Sequence, residues 1–194
     1  MSTVKTFLSQ QMAITPFNRL KEASVPQNNG IFNPLQRLTI DGRCPVVTLW
    51  HKIINRAQEL HRGDRRFGST GMGVGATFIY ARSHPNTTLT AWNLVDHRRL
   101  SEKVDALYDY VHKRLQPLSE SPEVAQYLNE ESAWLDPQRV IDALMKIGQR
   151  LAPCTLNAEA AETYLEQCLL SGNTVLEGAQ GTLLDYQAGT VPLL

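Results

Sequence analysis

The sequence has no net charge and no long run of apolar residues. Lys and Arg together number 19, as do Asp and Glu, so the formal charge of the 194 residues is zero. This balance excludes a strongly basic nucleic-acid binder and an acidic tail protein. No segment approaches the roughly 20 apolar residues that span a bilayer, and the N-terminal residues contain no signal-peptide core. We therefore expect a cytoplasmic protein that binds neither nucleic acid nor membranes.

Cysteine is also scarce, and its positions are far apart. Cys44, Cys154 and Cys168 form no CxxC pair and lie in no cluster with histidine. A disulfide framework and a structural zinc site are therefore not expected. We interpret the three side chains as partly buried thiols of a protein in a reducing cytosol.

Regular apolar spacing is missing from residues 1–41. This segment is interrupted by Pro16, Pro26, Asn28, Asn29, Gly30 and Pro34. We predict a loop there, with at most one short helix. From Pro45 onward, apolar residues at helical spacing predict a helix that ends near Gly63. The chain is therefore divided into a poorly patterned segment, 1–41, and a patterned segment, 42–194.

Residues 100–171 are predicted to be mostly helical. One apolar stripe consists of Leu100, Val104, Leu107, Val111 and Leu115. Two later helices begin where a capping residue precedes a proline, at 121–122 and 136–137, and Asn157 is the predicted cap of the helix after them. Short strands are predicted at 77–81 (TFIYA) and at 174–176. The fold class that follows is α/β, rich in helices and with a few strands.

The segment 68–76, GSTGMGVGA, is the first candidate site. It contains Gly68, Ser69, Thr70, Gly71, Gly73 and Gly75. Glycines let backbone N–H groups approach an anion, the hydroxyl groups add donors, and three arginines just upstream add positive potential. These features are typical of a phosphate-binding loop, and a mobile surface turn is the alternative that stays open.

Two known nucleotide-binding motifs do not account for this loop. A P-loop requires GxxxxGK followed by Ser or Thr, and the chain contains no such lysine. Residues 71–76 match the dinucleotide pattern G-x-G-x-x-A, but that motif requires a strand before it and a helix after it. The preceding RGDRRFGST is not strand-like, and a strand is predicted to follow. A Rossmann-type site is therefore disfavoured.

The segment 177–185, EGAQGTLLD, is the second candidate site. Gln180 lies between Gly178 and Gly181, directly after the strand predicted at 174–176. Open α/β sheets bind ligands at the carboxyl ends of their strands. The Gln180 amide is therefore a candidate donor to a phosphate or carbonyl and a candidate acceptor from an amine.

Both candidate loops resemble loops of adenylosuccinate synthetases. EGAQGTLLD followed by AGTVP is similar to that family's purine-nucleotide loop, and FGSTGMGVGA is similar to its glycine loop, usually GTT-x-x-GIGP. CPVVTLWHKIINRAQE resembles the helix before the glycine loop. The resemblance covers roughly 42–194. It implies a helix-rich fragment of the P-loop-NTPase-like synthetase fold with a few strands, in which 100–171 form a helical insert.

The resemblance also implies a function. Adenylosuccinate synthetases are ligases of purine biosynthesis that join IMP and L-aspartate with GTP and Mg2+, as homodimers. In that family the residues matching Thr70 and Gln180 contact IMP, and the neighbouring glycines form the loop backbone. The family arginine that reaches IMP across the dimer falls on His84, and Arg82, two positions earlier, is the other candidate for this phosphate contact.

The chain departs from the family pattern at the positions of catalysis. The GDEGKG loop, which carries the catalytic aspartate and binds GTP and Mg2+, has no counterpart here, and neither has the AGHT segment with the catalytic histidine. Ser69 replaces a threonine of the glycine loop, and Ala76 replaces its proline. We interpret His51 as a polar residue on a helix face. No catalytic residue and no metal ligand is assigned.

Three hypotheses follow, and the sequence leaves all of them open. In the first, the chain is one part of a synthetase and is catalytic only when the missing parts are supplied. In the second, it is a non-catalytic module that binds IMP or pairs with a synthetase chain. In the third, it is a truncated gene product that does not fold alone and leaves apolar surface open. A partner chain carrying GDEGKG favours the first, and IMP binding or pairing without turnover favours the second.

Overall fold

The computed structural model of the protein describes residues 4–16 and 34–177, which contain six α-helices and three short strands. In chain order these are β1 (Thr6–Leu8), β2 (Leu38–Asp41), α1 (Leu49–Arg62), α2 (Val74–Ser83), α3 (His97–Leu115), α4 (Pro122–Glu130), α5 (Pro137–Leu151), β3 (Thr155–Leu156) and α6 (Ala158–Ser171). Short 3-10 turns lie between several of the helices. The predicted class, a helix-rich α/β fold with a few strands, is confirmed.

The three strands form a small parallel sheet in the order β1-β2-β3. Thr6 pairs with Leu38, and Ile40 pairs with Thr155. Both β1 and β2 lie in 1–41, so the prediction of a loop with at most one short helix there was wrong. Strands of three and four residues are too short to display a period of two. Their conformation comes from pairing with residues that are distant in the sequence.

The strand predicted at 77–81 was wrong, because these residues belong to helix α2. β-branched and aromatic residues favour a strand when a short window is judged by itself. In the structure, Thr77 and Tyr80 are both buried, and their separation of three residues places them on one face of a helix. This face packs against α1. The Thr77 hydroxyl also donates to the Gly73 carbonyl, one turn earlier, at 2.9 Å.

The strand predicted at 174–176 was also wrong. These residues follow α6 without regular structure, and Val175 and Leu176 are 86% and 84% exposed. A strand needs a neighbour for its backbone N–H and C=O groups. None of the strands in the described part of the chain pairs with this segment.

Several predicted helix ends are confirmed by their caps. α1 ends at Gly63, whose φ is 56°. At the start of α5 the Asp136 carboxylate accepts from the Gln138 N–H at 3.0 Å. At the start of α6 the Asn157 side chain accepts from the Ala160 N–H at 2.9 Å. Each contact satisfies a backbone group that the helix itself leaves without a partner.

The start of α1 differs from the prediction. Pro45 lies outside the helix, in an isolated bridge with Thr90. The N-cap is Thr48, whose side chain accepts from the His51 N–H while the His51 ring accepts from the Thr48 N–H. The cap therefore uses a histidine where the usual capping box has Glu or Gln.

The core lies where the apolar stripes of the helices meet. The stripe predicted on α3 is buried along its whole length, and so is the stripe on α5, which consists of Val140, Ile141, Leu144, Ile147 and Leu151. Trp50 of α1 is fully buried, its ring centroid lies 5.5 Å from that of Tyr108 on α3, and its Nε1 donates to the Trp134 carbonyl at 2.6 Å. Burial of each large apolar side chain stabilises the fold by about 1.5–3 kcal/mol.

The chain divides into two compact units. The first, Met1–Ala161, contains the sheet, helices α1 to α5 and the core. The second, Glu162–Leu194, is described up to residue 177 and contains the remainder of α6. In the described part of both units, no helix has the length and apolar character needed to cross a membrane.

Candidate functional site

The first candidate site is a loop between α1 and α2, which we call the glycine loop (residues 67–73). Gly68, Gly71 and Gly73 adopt φ values of 71°, 69° and 77°, which residues with a Cβ rarely adopt. A Cβ added to Gly73 would lie 2.8 Å from both the carbonyl carbon of His51 and the nitrogen of Lys52. The end of the loop therefore rests directly on the backbone of α1, and only glycine permits this approach.

The Glu59 side chain of α1 binds the start of the glycine loop. Its Oε2 accepts from the N–H groups of Gly68 (2.9 Å) and Ser69 (3.2 Å), and its Oε1 accepts from the Phe67 N–H (3.4 Å). Arg62 donates from Nη1 to Oε1 at 2.8 Å. Burial acts to raise the pKa of this carboxyl, but the hydrogen bonds from the backbone and the guanidinium outweigh it and lower the pKa.

A further contact binds the middle of the loop to the same helix. Ser69 donates from Oγ to Asn55 Oδ1 at 3.0 Å. Asn55 lies one turn before Glu59, and His51, whose backbone contacts Gly73, lies one turn before Asn55. The glycine loop therefore runs antiparallel to α1 along one face of the helix and is held at successive turns.

Thr70 lies between these anchored points. Its side chain is exposed, and its hydroxyl makes no hydrogen bond within the described residues. The N–H groups of Gly71 and Gly73 likewise have no backbone acceptor in this part of the chain. Gly75 lies in the first turn of α2, where N–H groups have no intrahelical acceptor. Together these donors have the chemistry that binds a phosphate at a helix N-terminus.

Arg82 and His84, the candidates for a cross-dimer contact, lie at the opposite end of α2 from Thr70. This helix has ten residues, so it is about 15 Å long. The His84 ring stacks on Tyr80 with a centroid distance of 4.8 Å and meets the edge of the Tyr110 ring at 5.1 Å. The structure thus does not bring either candidate to Thr70 within one chain.

His51 lies on a helix face, as interpreted, but that face is buried. Its Nδ1 accepts from the Thr48 N–H at 3.1 Å, and its Nε2 has no partner among the described residues. Burial lowers the pKa of the imidazole to about 3. The ring is therefore neutral at pH 7, with its proton on Nε2, and this nitrogen is buried.

The second candidate site, the segment 177–185, lies outside the described residues except for Glu177. Gln180, Gly178 and Gly181 lie outside the described residues, so their contact with a ligand stays a prediction. For residues 4–16 and 34–177, no group of three or more His, Cys, Asp or Glu side chains is placed to hold a metal ion.

The cysteines are structural. Cys44 and Cys154 are buried and Cys168 is partly buried, which agrees with their interpretation as thiols that pack inside the protein. The Cys44 Sγ donates to the carbonyls of Leu8 and Ser9 at 3.4 and 3.1 Å. Burial raises the pKa of Cys44 to about 12, so this thiol is not reactive at neutral pH.

Sequence reasoning missed Asn55 and Glu59. With His51 they recur every four residues along α1 and therefore share a face, directly before a glycine-rich segment. That spacing was a usable signal. The sequence did not show that the chain reverses at 63–65 and returns along this face.

Known proteins share both the sequence and the fold. The family model described as adenylosuccinate synthetase matches residues 1–194. The adenylosuccinate synthetase of Prochlorococcus marinus (strain MIT 9313) is 31% identical over 179 residues, which are 92% of this chain and 37% of that protein. The adenylosuccinate synthetase of Neisseria gonorrhoeae (strain ATCC 700825 / FA 1090) is 28% identical over 188 residues, 97% of this chain and 40% of that protein.

A solved structure shows the same fold. The fully ligated adenylosuccinate synthetase from Plasmodium falciparum superposes with a TM-score of 0.70 at 18% identity, over 97% of this chain and 39% of that chain. The chain therefore spans between 37% and 40% of the length of these three proteins. Because the family model matches from the first residue to the last, the chain belongs to the adenylosuccinate synthetase family.

Proposed function

We propose that this chain supplies the IMP-binding glycine loop of an adenylosuccinate synthetase, a ligase that joins IMP and L-aspartate with the use of GTP. The Thr70 hydroxyl and the N–H groups of Gly71 and Gly73 bind the phosphate of IMP, and Gln180 contacts the same nucleotide. One observation carries the proposal: Thr70 is exposed and makes no hydrogen bond to the described residues, while the residues on both sides of it are anchored to α1.

The electrostatics of the loop support a phosphate ligand. The N-terminus of α2 follows the loop and carries the positive end of the helix dipole. Arg65 and Arg66 are exposed just before the loop and add positive potential. A loop that is already held in place loses little conformational freedom when a ligand binds, so more of the contact energy appears as affinity.

GTP and Mg2+ are not assigned to the described residues. The sequence contains no GDEGKG segment, and the His, Cys, Asp and Glu side chains of the described residues do not fit a metal ion. Phosphoryl transfer depends on positioning and charge stabilisation by metal and cationic groups. We therefore expect IMP binding by the 194 residues, and turnover only when a chain that holds GTP and Mg2+ is added.

An exposed apolar surface favours pairing with another chain as a second function. Phe67, Val74 and Ile79, which we call the α2 patch, are 68%, 40% and 61% exposed. They belong to the loop and to the helix that follows it, and large apolar side chains left exposed on neighbouring segments are candidates for burial against another chain. A homodimer, or a pair with a synthetase chain, would cover this patch.

A thermal melt with and without millimolar IMP tests the first proposal. A ligand that binds only the folded chain stabilises it by about 2.7 kcal/mol at a hundredfold excess over Kd. We expect IMP to raise the melting temperature of the wild type. The increase should largely vanish in Thr70→Ala and Gln180→Ala, whereas the melting temperature of Thr70→Ala without IMP stays unchanged, because the Thr70 hydroxyl makes no hydrogen bond to the part of the chain that the structure describes.

Ser119→Ala is the matched control, since it removes another exposed hydroxyl outside the glycine loop. Its response to IMP should equal that of the wild type. Inosine, which lacks the phosphate, should not raise the melting temperature. An IMP response that survives in Thr70→Ala would contradict the assignment of the phosphate to this loop.

A further inference from the structure

Glu59 is the one carboxylate in the described part of the chain that binds consecutive backbone N–H groups of the glycine loop. Phe67, Gly68 and Ser69 all donate to it, and Arg62 approaches it from α1. Glu59 is 5% exposed, although its charge favours water. A buried carboxylate is tolerated when its oxygens are fully hydrogen-bonded. The four donors meet this requirement.

Arg62 extends this contact to the loop side chains. Its guanidinium carbon lies 4.2 Å from the centroid of the Phe67 ring, and its Nη1 donates to Glu59 at the same time. The first loop residue is thus held by its backbone through Glu59 and by its ring through Arg62.

The arrangement gives Glu59 a role that differs from that of Thr70. Both of its oxygens accept two hydrogen bonds each, so the carboxylate is not placed to take a proton from a substrate. The N–H groups of residues 67–69 are directed to Glu59 and thus away from a bound anion. What remains for a ligand is the part of the loop that follows, from Thr70 onward.

We propose that Glu59 is a positioning residue: by binding the N–H groups of residues 67–69, it fixes the course of the glycine loop so that Thr70 meets the phosphate of the nucleotide. This inference rests on the proposed function, because it takes IMP as the ligand. It adds to the site a residue that does not contact the ligand but sets the position of Thr70, which does.

Glu59→Gln is the decisive variant, because it keeps the shape of the side chain and removes only its charge and one acceptor. Each carboxylate oxygen now accepts from two donors, and in the variant an NH2 group must replace one of these oxygens. Two donors then face the NH2 group, which is itself a donor, so hydrogen bonds that hold the loop and Arg62 are lost. Asp41→Asn is the matched control: Asp41 is also a buried carboxylate, is 2% exposed, and accepts from the backbone and side chain of Arg43 outside the loop.

Two measurements are made on the full chain. The first is the rate of tryptic cleavage after Arg65 and Arg66 without any nucleotide, followed by mass spectrometry. We expect cleavage of Glu59→Gln to be about tenfold faster than that of the wild type, because local opening controls proteolysis. The second is IMP affinity by calorimetry, which should fall about tenfold in Glu59→Gln when the loop is no longer held in place.

The control separates positioning from stability. Asp41→Asn should lower the melting temperature while its cleavage at the loop and its IMP affinity stay at the wild-type values. Equal IMP affinities in Glu59→Gln and the wild type would overturn the positioning role. Equal loss of affinity in both variants would also overturn it, since the effect would then come from general destabilisation.

Failure of the proposed function gives a different pattern. If the wild type itself does not bind IMP, the ligand assigned to the loop is wrong, and the positioning role for that ligand is overturned with it. The cleavage rates measured without nucleotide still show whether Glu59 holds residues 67–69. Glu59→Ala, which leaves the three N–H groups without any acceptor, should be cleaved at least as fast as Glu59→Gln.

Discussion

At the scale of single residues, His51 shows how a polar side chain becomes part of the core. Its Nδ1 completes the cap of α1, and its Nε2 is buried without a partner in the described part of the chain. The ring is held in its neutral form because burial penalises the charge. Protonation of this ring would therefore destabilise the folded chain.

The first prediction at this scale concerns pH. The pKa of His51 is about 3 in the folded chain, whereas the ordinary value, which applies to the unfolded chain, is 6.5. Below pH 6.5 the unfolded chain therefore binds a proton that the folded chain does not. The free energy of unfolding should therefore be largest above pH 6.5 and fall as the pH decreases toward 3, by up to about 1.4 kcal/mol per pH unit.

Urea unfolding at pH 7 and pH 5.5 measures this effect. The wild type should lose about 1 kcal/mol between the two values. His51→Gln cannot take up the proton and should lose much less, even if it is less stable at both pH values. The same loss in the variant and the wild type would show that another group causes the pH dependence.

At the scale of elements, α1, the glycine loop and α2 act as one unit. α1 presents Asn55, Glu59 and the backbone near His51 to the loop, and the loop ends in the first turn of α2. The contact with the loop thus places the N-terminus of α2 relative to α1. The buried face of α2, with Thr77 and Tyr80, then packs on the same helix.

Gly73→Ala should destabilise this unit. The φ of Gly73 is 77°, and its added Cβ would lie 2.8 Å from backbone atoms of α1 that cannot move aside. Strain of this kind costs about 1–3 kcal/mol before the steric contact is counted. Chemical denaturation should therefore show a loss of about 3 kcal/mol or more.

Gly75→Ala is the control for this prediction. Gly75 lies two residues later in α2, and its φ is not positive. A Cβ there meets nothing within 4 Å. Alanine favours a helix over glycine by up to about 1 kcal/mol, so this variant should be as stable as the wild type or more stable. A similar loss in both variants would mean that α1 does not restrict the loop.

The helices and strands differ in how well the sequence predicted them. The helices over 100–171 were predicted because their apolar stripes extend over many turns and their caps are local. The short strands β1 and β2 were missed, and α2 was taken for a strand, because a few residues carry too little periodicity. For the site, the glycines and Thr70 stood out by composition, whereas Glu59 acquires its role only through the reversal of the chain at 63–65.

At the scale of the whole molecule, the chain spans between 37% and 40% of the length of the three proteins compared with it. Its described part nevertheless has a continuous core in the unit Met1–Ala161, to which the sheet and helices α1 to α5 belong. The α2 patch consists of exposed apolar residues of the glycine loop and of α2, the helix that follows this loop. Pairing through this patch would place a second chain next to the glycine loop.

Ile79→Ser should weaken such pairing. Ile79 is 61% exposed, so its substitution removes apolar contact area without opening the core. We expect the dissociation constant of the pair, measured by light scattering over a range of concentrations, to rise about tenfold, which corresponds to about 1.4 kcal/mol. Val95→Ser, which replaces another exposed apolar residue away from the patch, should leave association unchanged. Monomers of the wild type at every concentration, alone and with a synthetase chain, would contradict the pairing.

The sequence by itself determined the family, the helix-rich α/β class and the candidate residues Thr70 and Gln180, because these depend on local composition, spacing and motif. Only the tertiary structure decided that 77–81 form a helix, that two strands lie within 1–41, and that Glu59 binds the glycine loop. The physical reason is the same in each case. A short segment has no strong conformational preference of its own, so the partners that satisfy its hydrogen bonds and bury its side chains decide what it becomes.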